Sequence, residues 1–199
     1  MLLSFSRKFI FVANLKTASS TIEAAIGKMA EIKISQTNFG KHDGLSTISQ
    51  KFSWARKYVP YDKFFVFGVI RDPVDFVLSL YNSHHKKGFD GKKHSTKGLS
   101  FDDFFDVWGA RSWQAKPQHL RFADKHGRFR PNYLIDLTRL DDEFPQICER
   151  LELGKIDLGR KNTSPVVLTR DELTAIQIER IKARYRDDYE LIRNRPRLL

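Results

Sequence analysis

The chain has 199 residues, 41% of them hydrophobic and 30% charged, with a formal net charge of +11. This places it with soluble globular proteins large enough for one domain (residues 1–199) with a real core. The basic balance favours anionic partners such as nucleotides, nucleic acid, acidic glycans or membrane surfaces, or serves solubility alone. The single cysteine, Cys148, excludes an internal disulfide. It lies in an amphipathic run with Phe144, Ile147 and Leu151, where a buried thiol is expected. The opening Met-Leu-Leu-Ser-Phe-Ser is too short for a signal core, and no stretch reaches membrane-spanning length. A cytoplasmic location is the default expectation.

In chain order, residues 8–14 predict a buried strand, being β-branched and aromatic without polar alternation. A helix follows from Ser19 to Ala30, its apolar Ile22, Ala25, Ile26 and Met29 spaced to share one face. Ile32 and Ile34 alternate with polar residues as a short strand. Phe39 to Gly44 reads as a loop, and Leu45 to Trp54 as a helix. Residues 64–70 form a second buried strand. Asp72-Pro73 opens a helix, Asp as N-cap and Pro in the first turn, with Phe76, Val77, Leu80 and Tyr81 on its apolar face. His84 to Gly98, rich in Lys, His and Gly, predicts an exposed, mobile basic loop. Ser100 caps a helix over Phe101 to Trp108, with Asp103 at the capping-box position. Tyr133-Leu134-Ile135 is a strand and Leu140 to Leu151 a helix. Thr169 to Tyr189 is helical, capped by Thr169 with Glu172. No repeat, low-complexity segment or linker interrupts this order. Alternating strands and helices imply a three-layer α/β fold with a mostly parallel central sheet and flanking helices.

Two anion-binding signals stand out, each after a buried strand. Lys16-Thr17-Ala18-Ser19-Ser20-Thr21 follows the first. Val69-Ile70-Arg71-Asp72-Pro73 follows the second, with Ser79 about two helical turns on. Helix N-termini at strand ends attract phosphate or sulfate through free N–H groups and the helix dipole. Ligands of such sheets bind at the carboxyl ends of the strands. The first loop is not a Walker A sequence, since its lysine opens the run and its glycines are missing. Lys16 can sit on a bridging oxygen and stabilise charge on a leaving group. The planar fork of Arg71 suits a phosphate held bidentately. Each motif alone also reads as an ordinary helix cap with a solvated cation. Together they suggest a ligand with two separated anionic groups.

On these residues the chain resembles the sulfotransferases that use 3′-phosphoadenosine 5′-phosphosulfate (PAPS), particularly the carbohydrate O-sulfotransferase branch. "FVANLKTASSTIE" is similar to that family's 5′-phosphosulfate loop. "VFGVIRDPVDFVLSLYN" is similar to its 3′-phosphate site. "YLIDLTRLDDEFPQICERLEL" and "RKNTSP" extend the likeness over roughly residues 8–190. The sequence departs from the pattern at Leu15 (usually Pro), at Ala18-Ser19 (usually a glycine pair) and at Phe76 (often Arg). The resemblance implies a P-loop-kinase-like fold. It assigns Lys16, Thr17, Ala18, Ser19, Ser20 and Thr21 to the 5′-phosphosulfate and Arg71 and Ser79 to the 3′-phosphate. Lys161 and Asn162 would lie in a late loop over the nucleotide. It implies transfer of a sulfuryl group to a hydroxyl acceptor, expected to be a carbohydrate, with no metal, no nucleic-acid partner and Lys16 assisting departure of the bisphosphate.

A hydroxyl acceptor requires a general base. His42, in "FGKHDGLS", is the first candidate, oriented by Asp43 or another carboxylate. His84, His85 and His94 are rivals, with His119 and His126 ranked lower. Lys86, Lys87, Lys92, Lys93 and Lys97 would grip an acidic acceptor, form a lid, or remain simply solvated. Trp108 and Trp113 flank Arg111, and core packing is the expectation for Trp108. Two alternatives stay open: a nucleotide-dependent kinase on the same sheet, and a basic nucleic-acid-binding module.

Overall fold

One mixed sheet organises the chain: β1 (Leu2–Ser4), β2 (Phe9–Val12), β3 (Ile32–Lys33), β4 (Phe65–Ile70) and β5 (Tyr133–Asp136), in the order β3-β1-β2-β4-β5. The computed structural model describes residues 1–124, 126, 131–159 and 166–197. β2, β4 and β5 form the expected parallel core, Phe9 opposite Phe65 and Ile70 opposite Asp136. β1 and β3 add an antiparallel edge, Leu2 facing Phe11 and Lys33. No sequence signal marked β1, because three residues are too few to display a period. Parallel strands end on one side, so the loops after Val12 and Ile70 leave the sheet together.

Burial explains the central strands. Phe9, Ile10, Phe11 and Val12 are fully buried, and β4 is buried throughout. Each such side chain contributes roughly 1.5–3 kcal/mol of transfer free energy. At Gly68 an added Cβ would fall 2.4 Å from the ring of Phe122 and 3.2 Å from the Val12 carbonyl. Glycine thus lets the segment before Phe122 close on the sheet.

α1 (Ser19–Ile26) buries Ile22 and Ile26 against the sheet and tightens into a 3₁₀ turn, Gly27–Met29. α2 (Leu45–Lys51) ends three residues before Trp54, which sits in a separate 3₁₀ segment. α3 (Pro73–His84) starts as expected: Asp72 Oδ1 accepts from the amides of Val74 (2.9 Å) and Asp75 (3.2 Å). The run after Ser100 begins as α4 (Phe101–Asp103), becomes π-helical over Phe104–Trp108 and closes as α5 (Gly109–Arg111). Ser100 Oγ accepts from the Asp103 amide, but the Asp103 carboxylate meets the Ser100 hydroxyl instead of completing a capping box. Aspartate is one methylene short of the usual Glu. Trp108 packs on Phe104 and His84, as expected. α6 (Leu140–Arg150) buries Phe144, Ile147 and Cys148.

Two expectations are corrected. The basic loop is not wholly exposed. His84 and Thr96 are buried, and the Thr96 hydroxyl donates to the Tyr81 carbonyl (2.7 Å). Lys87, Lys92, Lys93, His94 and Lys97 do face solvent. The C-terminal helix is also not continuous. Thr169 and Glu172 form their capping box around a 3₁₀ turn, Arg170–Glu172. A second box, Thr174 with Gln177, starts α7 (Ala175–Arg184), and the chain bends at Tyr185 before α8 (Arg186–Arg193). The bend buries the Tyr185 ring and lets its hydroxyl donate to the Ala115 carbonyl (2.6 Å). The capping box at Thr174 and the anchor at Tyr185 together interrupt the helix that periodicity alone had favoured. After α8, Arg195 donates to both oxygens of buried Glu143 (2.7 and 2.8 Å) and to the Leu134 carbonyl.

Candidate active site

At the end of β2 the backbone folds sharply. Lys16 and Ala18 adopt left-handed conformations, φ 58° and φ 56°. A non-glycine residue pays a steric cost there, and Ala18 is one of the two positions where the family pattern usually carries glycine. The Ala18 carbonyl accepts from the amides of Thr21 (2.9 Å) and Ile22 (3.2 Å), opening α1. The Thr17 hydroxyl turns inward to the Asn14 carbonyl (3.1 Å) and Thr17 is buried, so it braces the loop from within.

The second motif works differently from its sequence reading. The amides opening α3 are already taken by the Asp72 carboxylate, so that helix N-terminus is not open to an anion. The motif instead offers side chains. Arg71 Nη1 donates to the Lys16 carbonyl (3.2 Å), tying the two loops together. Arg170, from the far end of the chain, pairs with Asp72 and Asp75 (3.1 and 3.3 Å).

A brace that the sequence did not reveal fixes the two strand ends. Gln118 is fully buried; its Oε1 accepts from Asn14 Nδ2 (2.9 Å) and from the Arg71 amide (3.1 Å), and its Nε2 donates to the Arg71 carbonyl (2.7 Å). Its own amide donates to Asp188 Oδ2 on α8 (2.8 Å). Nothing local distinguishes Gln118 or Asp188 from solvated residues, so no sequence pattern marks them.

One cavity of about 860 Å³ opens over these loops. Its lining includes every residue from Lys16 to Thr21, Arg71 and Ser79, together with His42 and His84. Lys86, Phe89, Trp113 and Arg170 complete one side. Residues as far apart in sequence as Lys16 and Arg170 thus share one cavity. Lys161 and Asn162 lie outside the described residues.

Electrostatics reflect this crowding of cations. Lys16 falls to about 8, mainly through burial, then through the charges of Lys86 and Arg71. Burial likewise lowers Arg71, opposed by Asp75 and Asp72. His42 falls to about 4, burial outweighing its hydrogen bond to the Ala13 carbonyl. In that bond, 2.7 Å long, Nδ1 must donate because a carbonyl only accepts. The neutral tautomer is thereby set, and Nε2 carries the lone pair. Asp43 does not orient the ring as expected: it pairs with Lys51, and Ala13 does the orienting.

The rival histidines separate. His84 also lines the cavity, its Nδ1 donating to the Leu80 carbonyl (2.9 Å), and burial lowers its pKa. His85 is held by Thr96 Oγ1 (2.8 Å), and His94 is exposed. His119 bonds Asp188 (2.8 Å), which raises its pKa. Neither His85, His94, His119 nor His126 is part of the cavity wall. Among the described residues no three His, Cys, Asp or Glu side chains are grouped to hold a metal ion.

The Sulfotransferase family profile aligns with residues 3–192, so it covers both strand-end loops and every residue lining the cavity over them. The protein belongs to the sulfotransferase family. No curated protein and no solved structure matches the chain. The match begins within β1 and ends within α8, so both strand-end loops fall inside it. No helix among the described residues of the sulfotransferase is long and apolar enough to cross a membrane.

Proposed function

We propose that the protein transfers the sulfuryl group of PAPS to a hydroxyl of a carbohydrate acceptor. The observation that carries this reading is the single cavity holding the Lys16–Thr21 loop, Arg71, Ser79 and His42. Its donor set is rich in hydroxyls and cations, which fits an anion at either end of a nucleotide. Lys16, Ser19, Ser20 and Thr21 take the 5′ end, and Arg71 and Ser79 the 3′-phosphate.

The acceptor oxygen attacks sulfur in line. The new O–S bond forms as the bond from sulfur to the bridging phosphate oxygen breaks. The bridging electron pair leaves with 3′-phosphoadenosine 5′-phosphate (PAP), and protonated Lys16 stabilises that charge. The acceptor proton passes to Nε2 of His42, whose Nδ1 stays anchored on Ala13. Little covalent work falls to the protein, so positioning and charge stabilisation dominate. Trp113, 41% exposed and part of the cavity wall, offers a face for a sugar ring. Lys86 in the wall and solvated Lys87, Lys92 and Lys93 beyond it favour an acidic glycan.

Calorimetric titration of PAP tests the donor site. Wild type should bind in the micromolar range and ADP much more weakly. Arg71→Ala should lose about tenfold to a hundredfold, since a charge-assisted bond is worth roughly 1.5–3 kcal/mol. No PAP binding, or equal binding of ADP, would remove the PAPS reading and favour a kinase. His42→Ala should lower kcat by about 10²–10⁴ with PAP affinity nearly unchanged, as expected of a general base. His84→Ala should leave most of kcat; the reverse outcome would move the base to His84.

A further inference from the structure

We infer that Lys41 is a positioning residue that couples the anion-binding loop to the segment carrying His42, an inference that rests on the donor site proposed above. Lys41 is only 8% exposed and is not part of the cavity wall. Its Nζ reaches behind the loop to Ser20 Oγ (2.8 Å) and to Glu23 Oε2 (3.0 Å). Glu23, 3% exposed, stands on α1 one turn beyond Ser20. An ammonium has only donors, so Ser20 Oγ accepts from it and its own proton is left to donate elsewhere. The wall to which Ser20 belongs is the cavity, so that proton is available to an anionic ligand.

The adjoining residue gives the arrangement its consequence. His42 is fastened to the Ala13 carbonyl at the end of β2, and its own carbonyl accepts from Arg121 Nη1 (2.7 Å). Two consecutive residues therefore lock one segment to both ends of the anion-binding loop: Lys41 at Ser20, His42 at Ala13. An anion drawing on the Ser20 hydroxyl strengthens its bond to Lys41, because hydrogen bonds in series polarise one another. Occupancy of the donor site is thus transmitted to the backbone that holds the base.

The test is a double-mutant cycle read by PAP calorimetry on wild type, Lys41→Met, Ser20→Ala and the double variant, with His42 followed by imidazole NMR. Each single variant should weaken PAP about tenfold, and the double variant should be no more than about twofold weaker than the worse single, as coupled partners behave. The His42 ring resonance should shift when PAP saturates wild type and stay unmoved when it saturates Lys41→Met. Lys41→Met leaves Glu23 paired with the Met1 amino group (2.7 Å), so the carboxylate keeps a buried partner; where that variant still does not fold, Lys41→Gln takes its place in the cycle. Losses that multiply, or an intact His42 response in the lysine variant, would overturn the coupling alone. Wild type that fails to bind PAP would overturn the donor site and this inference with it.

Discussion

Lys16 illustrates how much of the site is set by charge on a single side chain. With a pKa near 8, its ammonium is partly deprotonated in mildly alkaline solution. A bound anion favours the charged form, so it raises that pKa and draws a proton in. PAP binding measured at pH 8 should therefore take up a fraction of a proton, visible as a dependence of the calorimetric heat on buffer ionisation enthalpy. Affinity should weaken as pH rises above about 8. Binding without proton uptake at that pH would mean that Lys16 does not meet the anion. His42 carries the complementary property: burial keeps it neutral at physiological pH, and the Ala13 carbonyl decides which nitrogen is bare.

At the scale of elements, α3 shows a departure from the family pattern resolved by packing. Phe76 is fully buried and meets the Tyr185 ring edge-on at 6.0 Å. It belongs to the apolar cluster of Val77, Leu80, Phe104 and Ile181, so the position faces another helix and not the cavity. Phe76→Ala should cost about 3–5 kcal/mol in urea unfolding, the usual range for truncating a buried aromatic. Phe76→Arg should destabilise as well, because it buries a charge without a partner. A stable Phe76→Arg with tighter PAP binding would show instead that the helix can turn this position into the cavity. The same scale explains the broken C-terminal helix. The spacing from Thr169 to Tyr189 is helical throughout, but Thr174 and Tyr185 each have a tertiary or capping partner that a continuous helix would deny them.

For the whole molecule, the half-buried His42 links stability to pH. An unfolded histidine titrates near 6.5, and His42 in the fold near 4. Between these values the unfolded chain binds a proton that the folded chain refuses. The contribution of His42 is therefore present above pH 6.5 and lost as pH falls toward 4. His119, raised by Asp188, acts with the opposite sign and favours the fold on the acid side. His42→Gln should flatten the acid loss of stability between pH 6.5 and pH 5 in chemical unfolding, relative to wild type. An unchanged slope would place the pH dependence elsewhere.

The strands β2 and β4, the helix faces of α1 and α3 and both strand-end loops were legible from sequence because each is written in consecutive residues. Hydrophobic runs, 3.6-residue spacing and caps such as Asp72 are local signals, and local energetics suffice to form them. The sequence by itself thus determined the α/β class, the two motifs and His42 as a candidate base. Only the tertiary structure decided how they meet. Gln118 bridges Asn14 and Arg71, Lys41 stands behind Ser20, and Ala13 replaces Asp43 as the partner of His42. These contacts join residues far apart in the chain through buried hydrogen bonds. Their donors and acceptors are ordinary polar residues until burial leaves each group to find its partner inside the fold.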